Sequence, residues 1–288
     1  MKRSEVGDAI ASEVAKAFGS DFRPDTLPRD GALLLTGYFE DIQRSLAPQF
    51  ADINFAEFTR AKLNAHASKR EGTGPYVHID QHLDRWLLLA YQLLSIRAFY
   101  KLEGVNRNAV NALMTTCLQM AFDPTAFERM RADSVHLFTS YPESLRYAHH
   151  LSVGALVFVC CHELAHHDND DIGEMPSHAI EYAADQKGFA FTQAVYAQSR
   201  NFSLLKPVPI GLAGIAILFW LFDLIERLAA SANGRTRRKP SKTHPFALDR
   251  FGRLKPELEA NADVRHFMGG YGEAVAQFRA DMDLDQVA

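Results

Sequence analysis

Apolar residues recur along this chain at the three-to-four-residue spacing of helices far more often than at the alternate spacing of strands. Val6, Ile10, Val14 and Phe18 fall at i, i+4 intervals and mark one face of an amphipathic helix. Over residues 80–102, Leu83, Trp86, Leu87, Ala90, Tyr91 and Leu94 share a face, and Gly104 supplies a stop. A third helix is predicted over residues 108–121, closed by Asp123-Pro124. Strand signals are few. Residues 75–79 (PYVHI) and 135–139 (VHLFT) are the best short extended candidates.

Further along, Ser140-Tyr141-Pro142-Glu143 reads as a capping box with proline in the first turn. The helical pattern then holds to about His167. A turn-rich loop, residues 168–173, separates it from the next helix, which is predicted from Ser177 as N-cap to Phe202. These readings give a mainly α fold of the α+β class with few short strands. The chain divides into a helical region over 1–139 with an edge strand and a second region over 140–288, unless both form one continuous domain.

Composition changes this picture little. The 288 residues are 47% hydrophobic and 23% charged with a net charge of −4, values ordinary for a globular protein. The mildly acidic balance gives no reason to expect nucleic acid as a partner. Three cysteines, two of them adjacent, make no disulfide framework and suit a reducing compartment. The first 18 residues mix acids with bases and have no apolar core, so they are no secretory signal. Cytoplasmic location is the expectation.

One stretch bears on membranes. Residues 207–222, PVPIGLAGIAILFWLF, run from Pro207 to Phe222 without a charge. A spanning helix wants about twenty residues, so a buried core helix is favoured over membrane contact, with Trp220 and Phe222 largely buried. The basic stretch SANGRTRRKPSK, residues 231–242, reads as a solvated linker.

The chemistry concentrates where the apolar run before residue 162 meets His162-Glu163-Leu164-Ala165-His166. On a helix, residues i and i+4 lie on one face with Cβ atoms about 5–6 Å apart. Two imidazoles so placed can converge on one zinc ion, while Glu163 is rotated aside, where it reaches a water rather than the metal. Chance alone gives the pattern in roughly 3% of shuffled chains of this composition, so a third ligand decides. Glu181 and Asp185, four apart on the next helix, offer a candidate: Glu181 can complete a His-His-Glu site, and Asp185 can fix the His162 tautomer. His178, Glu174 and the loop aspartates are rivals for third ligand. A histidine six residues past His166 is excluded, since Ile172 stands there. His167 is rotated about 100° from His166, and His149 and His150 lie about 18 Å upstream.

HELAH, then Glu181-Tyr182-Ala183-Ala184-Asp185, then Thr243-His244-Pro245 with Arg250, resembles the gluzincin zinc peptidases. The broad pattern is similar to that of the heat-shock-type and CaaX-processing membrane peptidases, without their several clear transmembrane helices. The resemblance implies a zincin-like fold, Zn2+ as cofactor, His244 as oxyanion stabiliser and Arg250 as its support. The chain length, helical first half and position of HExxH also resemble the Lit-type phage-exclusion peptidases. Those bacterial cell-death enzymes cleave a translation elongation factor.

Together these readings predict a zinc-dependent endopeptidase acting on a protein or peptide, with Glu163 as general base. An extended substrate is expected to add to a sheet edge near residues 75–79 or 135–139. The alternatives are a catalytically silent zinc-containing sensor or partner-binding regulator, and a zinc hydrolase of something other than peptide. An intact Glu163 argues against the silent protein, because a structural zinc site has no use for a base.

Overall fold

The longest helix, Pro142–Asn169, organises the elements around it. The structure, a computed structural model, describes residues 32–58, 65–70, 74–80, 83–100, 102, 104–123, 126, 141–198, 208–236 and 243–287. In chain order the elements are α1 (Ala32–Leu46), β1 (Asn54–Phe58), β2 (Ala65–Arg70), β3 (Gly74–Asp80), α2 (Leu83–Phe99), α3 (Gly104–Gln119), α4 (Pro142–Asn169), α5 (His178–Gln198), α6 (Val208–Ala232), α7 (Ala247–Glu259) and α8 (Ala262–Asp281). A 3-10 turn, Leu284–Gln286, follows. The fold is mainly α with one small mixed sheet, as the spacing of apolar positions predicts. The helix predicted from Val6 and the strand predicted at 135–139 lie outside the described residues.

Helix α4 packs against α2 on one flank and α5 and α6 on others, with β2 near its C-terminal half. It is buried nearly all round, which explains why its apolar residues form no narrow stripe. Pro142 occupies the first turn, where a missing N–H costs nothing, and Tyr141 rather than Ser140 holds the cap position. Asp170, in the left-handed conformation at φ 53°, ends the helix. Helix α6 crosses α4 where both present glycine. A Cβ on Gly154 would lie 2.0 Å from the Gly211 carbonyl oxygen, so the two backbones touch only because side chains are absent.

Two boundaries differ from the sequence expectation. Helix α2 ends at Phe99, and Gly104 opens α3 rather than closing α2. Glycine is tolerated at a helix start as well as past its end, so the signal points both ways. Residues 75–79 do form a strand, but within β3, the middle strand in the order β1-β3-β2. It pairs parallel with β1 and antiparallel with β2, so it offers no edge. Among the described residues the sheet edges belong to β1 and β2.

Helices α4 and α6 are each long and apolar enough to cross a membrane by length and composition. Within this fold, 89% of the apolar window of α4 and 67% of that of α6 are buried. Helix α6 also runs past Phe222 into charge. Asp223 is buried and paired with Arg227 Nε at 2.8 Å, while Arg227 also donates to the Leu284 carbonyl near the chain end. Trp220 and Phe222 are half-buried rather than largely buried. Trp220 packs edge-on against Phe251, and Phe222 stacks on Trp86 while its other side lines the cleft described below. One continuous apolar cluster extends from Phe39 to Leu284 and takes in Trp86, Phe158, Phe219 and Tyr271.

Candidate metal centre

The last two turns of α4 carry His162, Glu163 and His166, directly after the buried run that ends in Cys160 and Cys161. The loop after Asp170 turns the chain back, helped by Gly173 at φ 96°. Ser177 Oγ then accepts the Ile180 N–H at 3.4 Å and starts α5. Glu181 and Asp185 lie one turn apart on the face of α5 turned toward α4, and both are buried. Gly188 sets how close the helices come. A Cβ there would lie 2.8 Å from the His162 backbone, so α5 meets α4 at the first histidine itself.

The consequence is convergence. His162 Nε2 and His166 Nε2 are 3.2 Å apart. Glu181 Oε2 lies 3.6 Å from His162 Nε2. One donor atom from each of the three residues falls within 4.8 Å of the others. Two nitrogens on a tetrahedral zinc, each about 2.0–2.1 Å from it, stand about 3.3–3.4 Å apart, so the imidazole pair fits such an ion. Two imidazoles and one carboxylate are also a zinc-type donor set that leaves a fourth position open.

Behind these donors lies a ring of carboxylates. Asp185 Oδ1 stands 3.0 Å from His162 Nδ1. Asp171 Oδ1 stands 2.8 Å from His166 Nδ1. Each imidazole thus turns its outer nitrogen to a carboxylate and its inner nitrogen to the shared centre, the arrangement that fixes ligand tautomers. Asp185 is held in turn by Arg250, whose Nε and terminal nitrogen donate to its two oxygens at 2.8 and 2.6 Å. Arg250 also lies 3.6 Å from Glu181 Oε2 and over the Phe219 ring. The guanidinium is therefore engaged with both α5 carboxylates.

The other residues singled out from sequence fall in different places. His244 Nε2 lies 3.6 Å from Glu181 Oε1, its Nδ1 is 2.8 Å from Thr243 Oγ1, and its side chain is 61% exposed at the cleft. His178 is exposed and is no part of the converging group. Glu174 reaches the cleft from an exposed loop. His167 turns away, its Nε2 meeting the Tyr76 carbonyl at 3.1 Å and tying α4 to β3. Sequence reasoning grouped Asp171 with the rival ligands and missed its place behind His166. Its spacing, five residues past His166 at the start of a turn, was the available signal.

Electrostatics follow from this packing. Burial pushes the Glu163 carboxyl above the usual carboxylate range, against the pull of His162, His166 and a hydrogen bond from the Ala67 backbone. Burial also works against charge on His162, but Asp185 outweighs it and holds the imidazole above its ordinary value. For Asp185 burial is again opposed, by Arg250 and His162, and its carboxyl stays below the usual range. The site opens into a cleft of about 340 Å³. Its walls are apolar, with Phe158, Leu218, Phe219 and Phe222 on one side, and β2 contributes Ala65, His66 and Ala67.

The model of the family Peptidase U49, the Lit-type peptidase family, matches residues 104–268. That span is more than half of the chain and contains every α-helical residue of the site, from His162 to Arg250, while leaving out the sheet. No curated protein and no solved structure matches the chain.

Proposed function

This chain belongs to the Peptidase U49 family, and from that premise we propose that it is a zinc-dependent endopeptidase of protein substrates. The observation that carries the reading is the convergence of His162, His166 and Glu181, with a buried Glu163 beside them. His162, His166 and Glu181 would hold the ion, which when bound acidifies a water and polarises a carbonyl as a Lewis acid.

The chain's own groups do the remaining work. Glu163 takes the proton of the attacking water on its carboxylate and returns it to the leaving amine. The burial that raises its carboxyl also makes it a better base. Asp185 and Asp171 orient the two imidazoles, and Arg250 holds Asp185 ionised. His244 donates to the charge that develops on the carbonyl oxygen, where one such donor is worth about 3 kcal/mol. An extended peptide adds along β2, the sheet edge that borders the cleft, and its side chains meet the apolar wall.

The Lit-type kinship also supports a role in phage exclusion, and the three free, buried cysteines support a reducing, cytoplasmic setting. The test is a whole-lysate digest with purified protein, read by mass spectrometry of new N-termini. Defined cleavage that stops with a chelator, returns with zinc and is absent for Glu163→Gln supports the proposal. Cleavage that persists in chelator, or in Glu163→Gln, overturns it.

A further inference from the structure

Two imidazoles besides the pair on α4 line the cleft, His244 and His66. His244 has a role above. His66 does not. It is half-buried on β2, one residue before Ala67, whose backbone N–H holds Glu163. It is therefore part of the wall that fixes the proposed base.

Its ring is also backed by buried groups. His78, opposite it in the antiparallel β2–β3 register, packs on the His66 ring with centroids 4.5 Å apart. His78 is itself buried, and its Nε2 lies 3.2 Å from the buried Asp80 carboxylate. A strand of a small sheet has little reason to bury His and Asp on one face, since each costs free energy unless paired. Here the pair serves as a rigid floor. The Asp80 carboxylate fixes the His78 ring, and that ring limits the rotamers open to His66.

The cleft's remaining polar groups explain what such an imidazole would meet. Glu163, Asp171, Glu174 and Glu181 are acceptors, and Arg250 is committed to Asp185. A peptide backbone presents carbonyls as well as N–H groups, and the His66 ring lines the cleft on β2, where it can donate to one of those carbonyls. We propose that His66 is a substrate-positioning residue that donates a ring N–H to a backbone carbonyl of a peptide lying along β2. The contact belongs to substrate binding, and it rests on the zinc-peptidase reading of the same site.

The test uses two probes on the full-length zinc-loaded protein, with binding read by calorimetry. Acetohydroxamate reports the metal alone, while a peptidyl hydroxamate with two backbone amides also reports the wall. His66→Ala should weaken the peptidyl probe about tenfold, the usual scale for one lost hydrogen bond to a ligand, and leave acetohydroxamate affinity and zinc content unchanged. His66→Gln, which keeps a donor, should recover part of the loss. Lys255→Ala, on an exposed residue of α7 outside the cleft lining, should change neither probe. Equal peptidyl affinity in wild type and His66→Ala overturns the role of His66 and leaves the zinc reading standing. Loss of zinc or of acetohydroxamate binding in His66→Ala makes His66 structural and overturns it as well. A wild-type protein that binds neither probe overturns the zinc reading, and this inference with it.

Discussion

Asp185 stands 3.0 Å from Nδ1 of His162, and this contact joins the two helices that carry the candidate ligands. Arg250 closes the chain of contacts from α7. Removing the charge at Asp185 while keeping its shape should loosen the imidazole without emptying the fold. For Asp185→Asn, zinc affinity or activity is expected to fall about 10–100-fold. Competition with a chromophoric chelator measures it. If metal-free Asp185→Asn already melts far below metal-free wild type, Asp185 is a structural residue and the orienting role is lost.

Gly188 gives a sharper structural prediction. Alanine there must displace the His162 backbone or α5, because its Cβ would come within 2.8 Å. Gly188→Ala should cost about 1–3 kcal/mol and weaken zinc binding at the same time. Gly252→Ala is the contrast, since nothing lies within 4 Å of a Cβ on that exposed helical residue. It should leave zinc binding alone and stabilise by about 0.5–1 kcal/mol. Identical zinc affinity in Gly188→Ala would show that helix spacing does not set the site.

Acid should weaken the fold at Asp281, outside the cleft lining. Arg107, Asn111 and the buried Arg97 all donate to this carboxylate, and they hold its carboxyl well below the usual range. A depressed carboxyl adds stability above its unfolded pKa of about 3.9, and that stability is lost as pH falls toward the folded value. Asp281→Ala should therefore cost about 2 kcal/mol at pH 7 and progressively less below about pH 4. Denaturant melts at several pH values give the comparison. A difference between the two proteins that grows on acidification contradicts the assignment.

Much of this was legible in the sequence, for reasons that also explain the gaps. The His162-Glu163-His166 spacing and the Glu181–Asp185 spacing are local, and a helix turns such spacing into a shared face without help from the rest of the chain. The apolar run before His162 likewise located α4. What could not be read depends on long-range packing. Arg250 reaches Asp185 from another helix, and Gly188 matters only because α4 lies against it. The β2 strand AHASKR carries too few apolar residues to announce itself, and Gly104 was ambiguous between stop and start. The middle position of β3 follows from pairing, which no single strand encodes.

Helix α6 yields a prediction about where the enzyme works. Its buried Asp223, paired with Arg227, would be expensive in lipid and is satisfied here by protein. After high-speed centrifugation without detergent, the untagged protein should stay in the supernatant. Recovery only from carbonate-washed membranes would show that α6 inserts.

The most direct test is metal stoichiometry of the purified protein beside two single substitutions at neighbouring carboxylates. Wild type and Glu163→Gln should each carry about one zinc per chain, because a base that touches only water leaves the ion's protein shell intact. Glu181→Ala should bind zinc far more weakly and come through dialysis nearly empty. Glu163→Gln should also have lost hydrolysis by orders of magnitude. An empty Glu163→Gln, or a Glu181→Ala that keeps its full zinc, contradicts the assignment of ligand and base on which the account stands.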